Sequence, residues 1–167
     1  LVYLTGFGHT HGGPGYPPVD SATLFDLASL TKVVATTTAA MMLEEEGRLV
    51  LDSTVAHYLP EFGAVDSVKR RITVRMLLTH NGGLEAFAAL HRDSRGREQY
   101  LQQIAARPLK GMPGDTTIYS DWDFILLGLV VERISGQTLD QFLQQRLFGP
   151  LGMTDTGFQP GAALRPR

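Results

Sequence analysis

Apolar residues crowd into two stretches of this chain, and polar or turn residues break up the rest. The first, Ala28 to Gly47 (ASLTKVVATTTAAMMLEEEG), runs without a charge from Val33 to Leu43. That pattern predicts a helix buried on most sides, stopped by Gly47. Glu44, Glu45 and Glu46 at its end oppose the helix dipole and are read as its solvated tip. The second stretch, Asp121 to Ser135 (DWDFILLGLVVERIS), predicts another strongly apolar helix closed by Gly136. Shorter helices are predicted over Ser53 to Leu59, ended by Pro60, over Val74 to Leu78, capped by Thr73, and over Arg97 to Ala106. A further one starts at Thr138, where Gln141 completes a capping box, and runs through Leu147. Leu1 to Gly8 (LVYLTGFG) predicts a β-strand, and the Gly- and Pro-rich run His9 to Asp20 predicts a loop, as does Lys110 to Asp115. There is no repeat and no low-complexity tract. The fold class expected from one strand followed by many helices is α+β. A lone strand leaves its edge unpaired. Its partners must come from a second copy, by self-association, or from sequence outside these residues.

Composition narrows the function classes. The chain has 167 residues, enough for one domain with a real core, and 43% hydrophobic with 19% charged residues is an ordinary globular balance that argues against disorder. The net charge is −2 with no segment of one sign, so the basic stripe of a nucleic-acid binder is missing. With no cysteine there is no disulfide, Cys-based zinc site or thiol nucleophile. No apolar run is long enough for a membrane span. Leu1-Val2-Tyr3 is neither a Met start nor a basic leader, so no signal peptide is read. The chain is read as truncated at its N-terminus, which leaves its compartment open.

Three groups of residues carry candidate chemistry. Ser29 and Lys32 are three apart at a helix start and so share one face. A serine hydroxyl is a weak nucleophile until a neighbour takes its proton, and a neutral lysine can do so. Burial and the positive end of the helix would both push the Lys32 pKa down. The plainer reading, an exposed lysine one turn along, is weakened by the apolar run after Lys32. Tyr119-Ser120-Asp121 opens the second apolar helix, where Tyr119 can relay a proton. A helix cap beside a packed tyrosine fits the same residues. His80-Asn81-Gly82-Gly83 leaves a short helix. His80 there reads more readily as a structural hydrogen-bonding group than as a catalyst, and Asn81 is the only asparagine in the chain. His9 and His11 lack a third ligand, so no metal is expected. His11-Gly12-Gly13 is like a lipase oxyanion loop, but no Gly-x-Ser-x-Gly elbow accompanies it. There is no P-loop and no dinucleotide fingerprint, so no cofactor is expected.

Taken together, these motifs resemble the serine β-lactamase-like superfamily, which holds class C β-lactamases, penicillin-binding D-alanyl-D-alanine peptidases and esterases of the same fold. The resemblance covers nearly the whole chain in the family's order. Thr23 to Lys32 (TLFDLASLTK) is similar to the family's nucleophile segment. Gly47 to Asp52 and Tyr58 to Pro60 are similar to the stretch C-terminal to that segment, and Ile72 to His80 (ITVRMLLTH) to the hallmark helix and loop. Phe148 to Met153, with Thr156 to Phe158, resembles the stretch after the Tyr helix. The resemblance implies a β-lactamase/transpeptidase-like fold, here mainly its helical region plus the first sheet strand, forming one partial domain over residues 1–167. It implies that Ser29 forms an acyl-enzyme, that Lys32 is general base or holds the site's charge, and that Tyr119 is the second catalytic residue. The Ser29 backbone N–H would supply half of the oxyanion hole.

Two features depart from the family. The third residue of the Tyr motif, often Asn, is Asp121, whose charge favours the ammonium form of Lys32 and shifts proton handling toward Tyr119. The family's C-terminal Lys- or His-led triplet does not occur. Asp121, His80 and Asn81 are expected to bind substrate or shape the site. The expected partner is a small ester or amide, β-lactams and D-alanyl peptides included. A penicillin-binding peptidase and a non-catalytic ligand-binding fragment remain as alternatives.

Overall fold

The structure, a computed structural model, describes residues 3–161. The first apolar stretch becomes one helix, α1. It begins at Leu30 as a turn, widens into a π-helical segment over Lys32–Thr37, and continues as α-helix over Thr38–Glu45. The widening comes from the threonine run. Thr37 Oγ1 donates to the Lys32 carbonyl at 2.8 Å and Thr38 Oγ1 to the Val33 carbonyl at 3.2 Å, each reaching five residues back and opening the turn. The helix is not buried on most sides. Ala35, Ala39, Ala40 and Leu43 enter the core, while Leu30, Val33 and Met41 are more than half exposed. Gly47 ends it in the left-handed region at φ 68°. The acidic tip is not simply solvated, because Glu46 pairs with both Arg48 and Arg146.

Val55–Tyr58 forms α2, but Pro60 does not merely end it. Pro60 opens α3, Pro60–Gly63, where its fixed φ suits a first helical position and its missing N–H costs nothing. Val74–Leu78 is α4, and Thr73 Oγ1 caps it by accepting from the Met76 N–H at 3.2 Å. Gly96–Ala106 is α5 and Asp121–Ser135 is α6. Ser120 Oγ caps α6 by accepting from the Trp122 N–H at 3.1 Å, and Gly136 closes it at φ 72°. Leu139–Leu143 is α7, running on as a π-helical segment Gln144–Phe148, with the Thr138 N–H donating to Gln141 Oε1 at 3.3 Å.

The expected strand is not present among the described residues. Leu1 and Val2 lie outside them, and residues 3–8 pair with no neighbouring strand. Among the described residues, β-structure amounts to two isolated bridges, His9 with Pro18 and Thr54 with Thr73. The α+β character is therefore absent from residues 3–161, which are helical. The reason is geometric, since a strand needs a neighbouring edge and these residues offer none. The Gly8 carbonyl instead accepts from the Val19 N–H at 3.0 Å, closing the loop.

The core is built around α6. Trp122, Leu126, Leu127, Val130 and Val131 pack against Leu43 of α1, Val55 of α2, Leu77 of α4 and Phe142 of α7. Burying such side chains stabilises by about 1.5–3 kcal/mol each, which fixes the N-terminus of α6 against that of α1. Those two helix starts carry the residues with chemistry.

Candidate active site

Ser29 sits at the mouth of α1 on a strained turn. Ala28 before it holds φ 44°, rare for a residue with a side chain, and its N–H donates to Asp26 Oδ1 at 2.8 Å. Such a conformation costs about 1–3 kcal/mol and persists only where the surroundings hold it. One turn on, Lys32 is nearly buried, with its side chain 13% exposed. Its ammonium donates to Ser29 Oγ at 3.1 Å and to Asp121 Oδ1 at 2.6 Å. It also lies 4.9 Å from the centroid of the Tyr119 ring. The structure thus brings Ser29, Lys32, Tyr119 and Asp121 to one point, across 89 residues of sequence between Lys32 and Asp121.

The electrostatics differ from those of a neutral lysine base. Burial pulls the Lys32 pKa down, but hydrogen bonds to Asp121 and Tyr119 and their charges outweigh it, leaving the pKa above its ordinary value. That shift favours the ammonium form, which donates to Ser29 Oγ. The Tyr119 phenol moves the other way. Hydrogen bonds with Ser29 and Lys32, and the Lys32 charge, hold its pKa below the ordinary tyrosine value. Its ring is about half exposed, so the hydroxyl is accessible to a ligand.

Beneath this group lies a second cluster. His80 leaves α4 in the left-handed region at φ 56°. Its carbonyl accepts from the Ile118 N–H at 2.9 Å, its Nδ1 accepts from the Ser120 N–H at 3.2 Å, and its ring lies 4.5 Å from the Tyr119 ring, centroid to centroid. Nδ1 also lies 2.9 Å from Oδ2 of Asp123, which is wholly buried. Burial raises the Asp123 pKa to about 8. Burial, then the Lys32 charge, lowers that of His80, with Asp121 opposing.

With this geometry in place, comparison with known proteins is direct. The Beta-lactamase family model matches residues 1–167. The chain belongs to the beta-lactamase family. It is 40% identical over 153 residues to an Escherichia coli (strain K12) protein named "Putative D-alanyl-D-alanine carboxypeptidase", covering 84% of this chain and 35% of that protein. It superimposes on a class C beta-lactamase with a TM-score of 0.78 at 26% identity, covering 89% of this chain and 40% of that one. It also resembles EstCE1, described as a hydrolase with promiscuous acyltransferase activity, with a TM-score of 0.66 at 32% identity, covering 77% of this chain and 38% of that one. The chain therefore spans little more than a third of the length of these relatives. The shared fold is that of β-lactamases and penicillin-binding protein homologues, here in its helical part.

In this beta-lactamase-family chain an open cleft of about 970 Å³ runs from Ser29, Lys32 and Asp121 between α1 and α6 toward Tyr100 and Phe158. Asn81 stands apart from the Ser29 group. Its Nδ2 donates to the Gly114 carbonyl at 3.3 Å and its own carbonyl accepts the Gly114 N–H at 2.9 Å, so it shapes the loop before Tyr119. Gly83 helps at the same place. It has φ 74°, and a Cβ there would meet the Gly111 carbonyl oxygen at 2.2 Å. Sequence reasoning misses Asp123, although its signal is there as a second acid beside Asp121 in the first turn of an apolar helix. It also misses Lys69, a basic residue that proves fully buried.

Proposed function

We propose that the chain carries the nucleophile half of a serine hydrolase that works through a Ser29 acyl-enzyme. The observation that supports this best is the contact of Ser29 Oγ with a part-buried, paired Lys32 beside Tyr119. In this reading Ser29 Oγ attacks the acyl carbonyl and its proton passes to the Tyr119 oxygen. Lys32 stabilises the phenolate that accepts it, and Asp121 holds Lys32 charged. Tyr119 hands the proton to the leaving group. Water then cleaves the acyl-enzyme, with Tyr119 taking the water's proton and returning one to Ser29. The Ser29 backbone N–H is assigned as one oxyanion donor. No metal or cofactor enters these steps.

The substrate class we favour is an ester or small amide. Asp121 presents a carboxylate where an amide donor would greet the polar face of a β-lactam or peptide. A second reading, D-alanyl peptide hydrolysis, is favoured by the likeness to the E. coli protein named for that activity. The test is a comparison of an aryl ester, a D-alanyl-D-alanine peptide and a β-lactam on the intact protein. Ester turnover well above the other two supports the first reading, and preference for the peptide replaces it with the second. Absence of turnover on all three overturns both in favour of a binding module.

Asp121→Asn separates charge from structure. Ser120 supplies the helix cap, and a part-exposed ion pair is worth about 0–1 kcal/mol, so stability should barely change. Removing the carboxylate leaves burial unopposed by its charge, so the Lys32 pKa falls. The alkaline limb of the pH–rate profile should move to lower pH, and amide turnover should gain on ester turnover. An unchanged profile and unchanged selectivity would count against the coupling.

A further inference from the structure

The His80 cluster is unused by the steps above, yet it touches the Tyr119 segment in three ways. The His80 carbonyl takes the Ile118 N–H, His80 Nδ1 takes the Ser120 N–H, and the imidazole packs on the ring between them. A left-handed conformation at a non-glycine residue is what aims both the carbonyl and the ring at residues 118–120. We propose that His80 and Asp123 form a positioning pair for Tyr119, in which a protonated Asp123 carboxyl donates its hydrogen to His80 Nδ1 and locks the imidazole that clamps residues 118–120.

Two features of the geometry assign that proton. The Ser120 N–H is directed at His80 Nδ1 at 3.2 Å, a contact that suits a lone pair on this nitrogen rather than a hydrogen of its own. An ionised Asp123 oxygen 2.9 Å from a bare lone pair would be repelled, whereas a carboxylic acid there donates, sharing the lone pair with the peptide N–H. The other oxygen, Oδ1, is buried and has no hydrogen-bond partner among the described residues. Such an orphan is tolerable on a neutral acid and far more costly on a carboxylate. Among the described residues no lysine or arginine pairs with Asp123, and Lys32, whose charge acts on His80, is engaged by Ser29 and Asp121. The raised pKa of Asp123 and the lowered pKa of His80 agree with a pair that is neutral on both sides. The charged or titratable groups that face His80 are Lys32, Asp121, Tyr119 and Asp123.

The positioning role rests on Tyr119 handling protons as proposed above, but the state of the pair can be read without activity. Nitrogen-15 NMR of the intact protein near neutral pH, with His80 assigned by loss of its signals in His80→Gln, should show an unprotonated Nδ1 and a protonated Nε2. Infrared spectra should show a carboxylic-acid carbonyl band that disappears in Asp123→Asn. A protonated His80 Nδ1, or absence of that band, overturns the pair whatever the enzyme does. For the role, Asp123→Leu should lower kcat on the order of tenfold to a hundredfold with little change in KM, the scale expected when a reacting group is misplaced. Asp123→Asn, whose amide can donate to Nδ1 without changing the charge, should restore most of the loss at neutral pH, leave the acid midpoint in place and remove the alkaline loss that ionisation of the carboxyl near pH 8 brings. If the spectra are as expected but Asp123→Leu keeps its kcat, the positioning role is wrong. If Asp123→Asn displaces a midpoint on the acid side of neutrality, the carboxyl is ionised at neutral pH and the proposal falls.

Discussion

Ser29→Ala in the intact protein should abolish labelling by a serine-directed phosphonate and lower kcat/KM by roughly three to six orders of magnitude, the scale seen when a catalytic nucleophile is removed. The expectation comes from comparing serines. Ser120 lies beside Tyr119 in sequence, but its hydroxyl already donates to the Glu85 carbonyl at 2.6 Å and accepts from the Trp122 N–H at 3.1 Å, and it is fully buried. Ser94 is buried as well. Ser29 is exposed at the mouth of the cleft and touches the ammonium of Lys32. Mass spectrometry of the labelled protein decides the matter, because a label that persists in Ser29→Ala removes the nucleophile assignment. In Tyr119→Phe labelling should slow together with turnover, because Tyr119 takes the Ser29 proton; labelling at an unchanged rate with lost turnover would confine Tyr119 to a later proton transfer.

Lys69→Met should destabilise the fold by about 1–3 kcal/mol for each buried carbonyl left without a donor, offset in part because a buried charge is removed with it. Lys69 is 1% exposed, and its ammonium donates to the carbonyls of Ile104, Ala105 and Arg107. These are the carbonyls at the C-terminal end of α5 that helix geometry leaves without internal donors. Methionine fills the same space but donates nothing, so three buried oxygens lose their hydrogens. Burial lowers the Lys69 pKa, with Asp66 opposing, so the three charge-assisted bonds are what hold the charge in place. Denaturant unfolding of the intact protein should show the loss, with Lys110→Met, half exposed and paired loosely with Glu85, as the control. A loss no greater than the control's would mean that α5 needs no such cap.

Local chemistry is legible in the sequence wherever it is decided by neighbours along the chain. The cap at Thr73, the stop at Gly136, the start of α6 and the three-residue spacing of Ser29 and Lys32 all depend on backbone geometry within one or two turns. The likeness of Thr23 to Lys32 and Ile72 to His80 to a known family carries the fold with it. Where the local rule is incomplete, sequence and structure part. Pro60 reads as a stop, though a proline suits the first position of α3 equally well. The threonine run reads as plain α-helix, though its hydroxyls compete for backbone carbonyls and widen the turn. Residues 1–8 read as a strand from their composition, though pairing requires an edge that the described residues do not supply.

By itself, then, the sequence determined the cap at Thr73 and the stops at Gly47 and Gly136, which serine and lysine share a face, and which family the pattern resembles. Only the tertiary structure decided the contacts that bear on the ionisation of the site. The charge of Lys32 depends on Asp121, 89 residues away, arriving 2.6 Å from its ammonium. The raised pKa of Asp123 depends on its burial beneath His80, and the cap on α5 depends on Lys69 reaching carbonyls 35 residues on and beyond. Spacing along a helix is a property of the backbone and can be counted. A pKa is set by what surrounds a group in three dimensions, through burial and through charges within a few ångströms, and those neighbours come from distant parts of the chain.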